Sequence, residues 1–130
     1  MSNEPQATLL FKEEVYAIQG AVFEVYREMG YGFLEAVYQE CMEKELRLRG
    51  IPFVAQQEQM LFYKGSVLER TYRADIICYE KIILELKAVR AIAPEHQAQM
   101  LNYLKATGLR LGLIINFGHH PKAEIERFIL

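Results

Sequence analysis

The sequence predicts a mixed α/β domain in which helices pack against a mixed sheet. Three observations carry that expectation. Apolar residues recur at steps of three and four through the N-terminal third of the chain, the helical period. From Phe53 to Lys87 the pattern changes to short β-rich runs. A segment opened by Pro94 then returns to helical character and leads into the β-branched run Leu111–Phe117.

The first helix is expected from about Leu9 to Met29, with Val15, Ile18, Val22, Val25 and Met29 on one stripe and Gly30 as its stop. The second is expected from Leu34 to Arg49, with Leu34, Val37, Tyr38, Cys41 and Leu48 apolar and inward. Lys44, Arg47 and Arg49 suit the negative end of its dipole, and Gly50 and Pro52 end it. Strands are expected at Phe53-Val54, Met60 to Tyr63, Arg73 to Tyr79 and Lys81 to Lys87, with a hairpin turn at Lys64-Gly65 and another about Glu80-Lys81. The third helix runs from Pro94 to about Ala106 and closes at Gly108, and Glu124 to Leu130 is either a short helix or an edge strand.

One domain, 9–130, follows a flexible N-terminus over 1–8. With 15 Lys+Arg against 17 Asp+Glu the net charge is −2, so nucleic-acid binding needs a local basic patch rather than a polycationic chain. No apolar run reaches the length of a membrane span, and the N-terminus lacks the basic and apolar regions of a secretory signal. Two cysteines, Cys41 and Cys78, without CxxC spacing argue for a reducing cytoplasm and against a disulfide scaffold.

Charges stand where a buried strand should carry none. Ile82, Ile83 and Leu84 mark a strand covered on both faces, and period-two alternation puts Glu85 and Lys87 on one side and Leu86 on the other. Burying a carboxylate and an ammonium costs several kcal/mol, on the order stated for unpaired buried ions, unless they are paired or bind a metal. A hairpin centred on Glu80 sets Asp75 opposite Glu85. Two carboxylates that close repel unless a cation lies between them, so a divalent oxygen-loving ion beside a lysine is the economical reading. The plainer alternative is a Glu85–Lys87 pair on a solvated edge with Asp75 at the surface. Gln99 and Tyr103, four apart on the third helix, share a face, and their plain reading is surface and core edge. His96 and the pair His119-His120 read as solvent-exposed, without metal-ligand spacing. Tyr26 and Tyr38 read as packing residues, and the dipole alone favours Glu35 in a first helical turn.

Taken in order, Gly32-x-x-Glu35-x-x-Tyr38, Tyr72-Arg-Ala-Asp75, Glu85-Leu-Lys87-Ala, Gln99-x-x-x-Tyr103 and the stretch from Gly108 to Asn116-Phe-Gly118 resemble the GxxExxY proteins of the PD-(D/E)XK nuclease superfamily. The resemblance covers the chain from about residue 12 to its end. It implies a restriction-endonuclease-like core, with a central mixed sheet flanked by helices. It implies a Mg²⁺-dependent nuclease acting on DNA, or on RNA, with Mn²⁺ able to substitute. Asp75, Glu85, Glu35 and the main-chain carbonyl of Leu86 would hold the metal. Lys87 would orient and activate the attacking water, and Gln99 and Tyr103 would stand near the water or phosphate. Apart from the resemblance, Arg73, Arg90, Lys105 and Arg110 are candidates for phosphate contacts around the site, since a net charge of −2 gives poor long-range attraction, and ordinary surface solvation is their plain reading. A homodimer, with the apolar first helix as its face, is compatible with cutting two strands. Two positions depart from the family pattern: Ala74 replaces the Pro before the aspartate, and Tyr26-Arg27 stands where His-Arg is expected. A nuclease fold used only as a binding or interaction module is the runner-up. A purely structural domain is the third reading, and it requires Glu85 and Lys87 to be exposed.

Overall fold

The apolar stripe of the first helix folds inward as its spacing requires. In the computed structural model, which describes residues 10–130, α1 spans Lys12–Met29 and buries Val15, Ile18, Ala21, Val22 and Val25. The flexible stretch expected over 1–8 lies outside the described residues. Because that stripe is used within the domain, α1 does not offer it as a dimer face; its exposed large residues are Tyr16 and Phe23. Helix α2 spans Glu35–Leu48 and turns Tyr38, Met42 and Leu46 inward. Leu34 and Leu48, expected on its apolar side, are instead 79% and 81% exposed. Leu34 precedes the helix in an extended conformation, and Leu48 is two positions past Leu46, more than half a turn off the buried line.

The strands are β1 (Phe53–Ala55), β2 (Glu58–Tyr63), β3 (Ser66–Arg73), β4 (Ile76–Cys78), β5 (Ile82–Lys87), β6 (Leu111–Asn116) and β7 (Glu124–Ile129), with α3 (Pro94–Thr107) between β5 and β6. Five of them form a mixed sheet in the order β1-β4-β5-β6-β7, and β2 and β3 form a separate hairpin. Only β5 and β6 run parallel, because α3 carries the chain back across between them. The turn at Lys64-Gly65 is where the sequence places it. The chain from Arg73 to Tyr79 is not one strand. It breaks at Ala74-Asp75, and the part before the break belongs to the hairpin. The C-terminal segment resolves as the edge strand β7, antiparallel to β6.

Alternation along β5 divides the core. Ile82, Leu84 and Leu86 pack with α1 and α2, whereas Ile83 packs on the opposite face with Tyr72, Met100 and Leu104. Glu85 shares the Ile83 face, beneath α3 and the hairpin. Ile82, Ile83, Leu84 and Leu86 are at most 1% exposed. Side chains of that size stabilise by about 1.5–3 kcal/mol each when buried. Together they hold β5 central, although an ionised carboxylate in the same strand opposes burial by several kcal/mol, on the order expected for a desolvated ion.

Candidate active site

The site begins where β4 stops pairing. The β4–β5 register is Ile76 with Leu84, Ile77 with Ile83 and Cys78 with Ile82, so the next position outward sets Asp75 against Glu85. Tyr79, Glu80 and Lys81 form the loop, and the expected centre at Glu80 is correct. Two hydrogen bonds lock the carboxyls across the gap. The Leu86 N–H donates to Asp75 Oδ2 at 2.8 Å, and the Asp75 N–H donates to Glu85 Oε2 at 3.3 Å. The N–H and C=O of one strand residue point the same way. The Leu86 carbonyl therefore opens toward the Asp75 side, and Leu86 lines the cleft there.

That cleft, about 350 Å³, is lined by Glu35, Ala36, Gln39, Gln56, Asp75 and Leu86. Glu35 reaches it from the first turn of α2 and stays exposed. Glu85 is not among the residues that line it and is only 8% exposed. The purely structural reading required an exposed Glu85 and fails on this point. Lys87 is half-buried on the Glu85 face of β5, and its charge acts on both Asp75 and Glu85. Among the described residues no three acidic, histidine or cysteine side chains close on one point as a ready-made metal cage.

Several residues that the sequence left without a role build the walls. The Tyr72 hydroxyl donates to Glu85 Oε2 at 2.5 Å, and its ring stacks on Tyr103 at 3.5 Å between centroids. Tyr103 thus touches the site through Tyr72. Gln99, one helical turn earlier, is exposed. Gln39 donates to the Asp75 carbonyl at 3.0 Å, and the Gln56 N–H donates to the same oxygen at 3.0 Å. The Ala74 N–H donates to the Gln57 carbonyl at 3.2 Å, a bond that proline at this position would lose. Tyr72 carries no local signal, since its strand belongs to the separate β2–β3 hairpin and only tertiary packing brings it to Glu85.

Of the basic residues named for phosphate contact, none lines the cleft. Arg73 stands across the hairpin from Glu58, 3.8 Å away, with both side chains exposed. Arg90, Lys105 and Arg110 are exposed. His96, expected to be a solvent-exposed side chain, is half-buried because its Nδ1 accepts the Ala93 N–H at the start of α3. His119 is half-buried as well, its Nδ1 2.8 Å from the Lys122 carbonyl. Tyr38 packs as expected, its ring stacked on Phe117 at 4.5 Å between centroids.

Burial, then the neighbouring Asp75, pushes the Glu85 carboxyl up to about 7, against a pull downward from the Tyr72 hydroxyl, the Asp75 N–H and Lys87. Asp75 is raised too, by burial first, with the Leu86 N–H pulling down and Glu35 adding to the rise. Burial raises Tyr72 and Tyr103, so both hydroxyls keep their protons at neutral pH. A carboxyl that holds its proton more tightly folded than unfolded stabilises the fold below its unfolded pKa of 4.5, and that stability is lost as pH rises through about 7. Metal-free protein is therefore expected to melt at lower temperature at pH 8 than at pH 5.5. The difference should be on the order of 2–3 kcal/mol, and Glu85→Gln should flatten the slope. Thermal melts across that interval check it, and a wild-type chain that gains stability with pH would contradict it.

The PD-(D/E)XK nuclease superfamily matches residues 12–128 of this chain. The chain belongs to that superfamily. Its five-strand mixed sheet flanked by helices is consistent with the nuclease-like fold of that superfamily. No curated protein matches the chain. Among solved structures it is similar to one described as the crystal structure of SSO0001, with a TM-score of 0.58 and 18% identity, covering 72% of this chain and 48% of that one. The superfamily member described here therefore spans about half the length of that structure, and at this identity the likeness shows the fold alone. Nucleases of this superfamily generally depend on a divalent metal. Among the described residues no helix is long and apolar enough to cross a membrane.

The donor set here fits such an ion. Asp75 and Glu85 offer hard carboxylate oxygens; burial raises both first, and Glu35 beside Asp75 and Asp75 beside Glu85 add a repulsion that a dication would relieve. Mg²⁺ keeps several waters and takes few protein ligands, so two carboxylates and one carbonyl suffice without a closed cage.

Proposed function

We propose that the protein is a Mg²⁺-dependent nuclease that hydrolyses phosphodiester bonds in DNA or RNA, with Mn²⁺ able to substitute. The observation that carries the reading is the pair of adjoining carboxyls of Asp75 and Glu85, both raised by burial, with the charge of Lys87 acting on them from the end of a central strand. Asp75, Glu85 and the Leu86 carbonyl would hold the ion, with Glu35 reaching it across the cleft. Bound there, the ion would neutralise phosphate charge and favour hydroxide at neutral pH. Tyr72 fixes the Glu85 carboxylate in one orientation, with Tyr103 stacked behind it. The Lys87 ammonium would orient the attacking water and offset charge that grows on the phosphate oxygens. Gln99, exposed on the same helix as Tyr103, is free to meet substrate.

A second reading is favoured by one feature. The exposed Glu35 does not close on Asp75 and Glu85, as a domain that only binds nucleic acid would tolerate. Incubation of the whole chain with labelled single- and double-stranded oligonucleotides, in Mg²⁺ and in chelator, separates the two. Products that form in Mg²⁺ and vanish in chelator support the nuclease. Binding without products supports the module.

A further inference from the structure

The motif that supplies Glu35 also builds something the hydrolytic reading does not use. Between α1 and α2 the chain makes a tight loop, Gly30 to Leu34, with Gly30 and Gly32 at φ +70° and +110°, where residues with side chains are strained. Tyr38, fully buried, ties both limbs of this loop. Its hydroxyl donates to the Gly30 carbonyl at 2.6 Å and accepts the Phe33 N–H at 3.3 Å. The loop is thus held from beneath, with Phe33 meeting the Tyr38 ring edge-on at 6.1 Å between centroids and its other side chains open to solvent. Tyr31 is 55% exposed, Phe33 46% and Leu34 79%. A pinned loop has no need of two exposed rings for its own stability, because each ring loses the burial that would make it worthwhile.

The surroundings say what would cover those rings. Phe33 is two residues from Glu35, so by chain geometry their Cα atoms are at most about 7 Å apart, and Glu35 lines the cleft with Asp75. Tyr31 lies against the His120 ring, 4.7 Å between centroids and tilted by 41°. The His119 carbonyl accepts the Tyr26 hydroxyl at 2.9 Å, which draws the 118–121 turn to α1. That turn is fastened in addition to the segment leaving β5, since Asn116 Oδ1 accepts both the Val89 N–H at 3.0 Å and the Gly118 N–H at 2.9 Å. Three connections therefore meet beyond the carboxyl ends of the parallel strands β5 and β6, where ligands of open α/β sheets bind. They carry Tyr31 and Phe33 together with exposed Arg90, His120 and Lys122. Exposed rings with the basic side chains of Arg90 and Lys122 on neighbouring connections match a chain of unstacked bases joined by phosphates. A duplex, whose bases are already stacked, has no use for the rings.

We propose that the Gly30–Leu34 loop is a base-stacking platform and that the substrate is single-stranded nucleic acid, its bases seated on Tyr31 and Phe33 and its phosphates facing Arg90, His120 and Lys122. This rests on the nuclease reading for the role of the adjacent cleft. The common requirement is a flexible strand with free base faces, which single-stranded DNA and RNA share.

The test is binding of the whole chain, in Ca²⁺ to hold off cleavage, to short oligonucleotides that carry 2-aminopurine. Single-stranded DNA, single-stranded RNA of the same base order and duplex DNA form the three arms. The wild type should bind a single strand more tightly than duplex and quench the 2-aminopurine as it stacks; preference for either sugar supports the platform. Tyr31→Ala with Phe33→Ala should weaken single-strand binding at least about tenfold, leave duplex binding unchanged and abolish the quenching. Both side chains are about half exposed and lie outside the buried core, so the variant should fold, which a melt beside the wild type checks. Unchanged single-strand affinity in the variant, or a wild type that prefers duplex, overturns the platform. The two readings fail separately. If Mg²⁺-dependent cleavage persists while the rings prove irrelevant, only the platform falls. If the rings bind and quench but no cleavage occurs, only the nuclease falls.

Discussion

Lys87→Ala is expected to lower Mg²⁺-dependent hydrolysis by about 10²–10³-fold while the chain still folds, because one preorganised charge aimed at the reacting phosphate carries an effect of that size. The position explains why folding survives. Lys87 is half-buried at the last residue of β5, and among the described residues no carboxylate lies within ion-pair distance of its ammonium. Its charge reaches Asp75 and Glu85 only at longer range and holds both carboxyls lower than burial alone would. Truncation removes that moderating charge but leaves the apolar neighbours Leu84 and Leu86 in place. Initial rates on a labelled oligonucleotide, with a thermal melt of the same preparation, check the expectation. Equal rates for the variant and the wild type would remove Lys87 from the chemistry.

The second large effect is on stability. Tyr38→Ala is expected to destabilise the domain by about 3–5 kcal/mol, as for other buried aromatic truncations. The ring is fully buried and stacked on Phe117 with an interplanar angle of 3°. The hydroxyl also closes the Gly30–Leu34 loop, so Tyr38→Phe isolates that part. It should lower stability by about 1–2 kcal/mol, the range for one or two lost hydrogen bonds. It should also loosen the loop, read as faster amide exchange at Phe33. Denaturant unfolding of the two variants separates ring from hydroxyl, and a Tyr38→Ala variant as stable as the wild type would contradict the packing described.

What the sequence disclosed follows from which signals are local. The stripe Val15, Ile18, Val22 and Val25, the Lys64-Gly65 turn and the Pro94–Gly108 helix are written within a few residues, and all appear in the fold. The charges of β5 were conspicuous because Ile82, Ile83 and Leu84 leave no doubt that the strand is buried. Strand β3 was not legible. Most of its side chains are exposed, since the hairpin stands apart from the main sheet, so it lacks an apolar face of period two. The inward line of α2 was misplaced for a related reason. Leu34 and Leu48 are apolar but lie off the Tyr38–Met42–Leu46 row that meets the sheet. Within the site, Asp75 could be set opposite Glu85 by counting through one hairpin. Tyr72 and Gln56 reach those carboxyls from other parts of the chain, and Gln39, 36 residues away, reaches the Asp75 main-chain carbonyl. Pairings of that kind are made by tertiary packing alone.

The account's central claim is that Asp75 and Glu85 hold a hard dication. Isothermal titration of the metal-free whole chain with Mn²⁺ at neutral pH tests it most directly. The expected result is saturable binding near one equivalent, with protons released as Glu85 gives up the proton that its burial retains, and loss of both signals in Asp75→Asn. Heats no larger than dilution for the wild type, or binding that survives unchanged in Asp75→Asn, would contradict the claim.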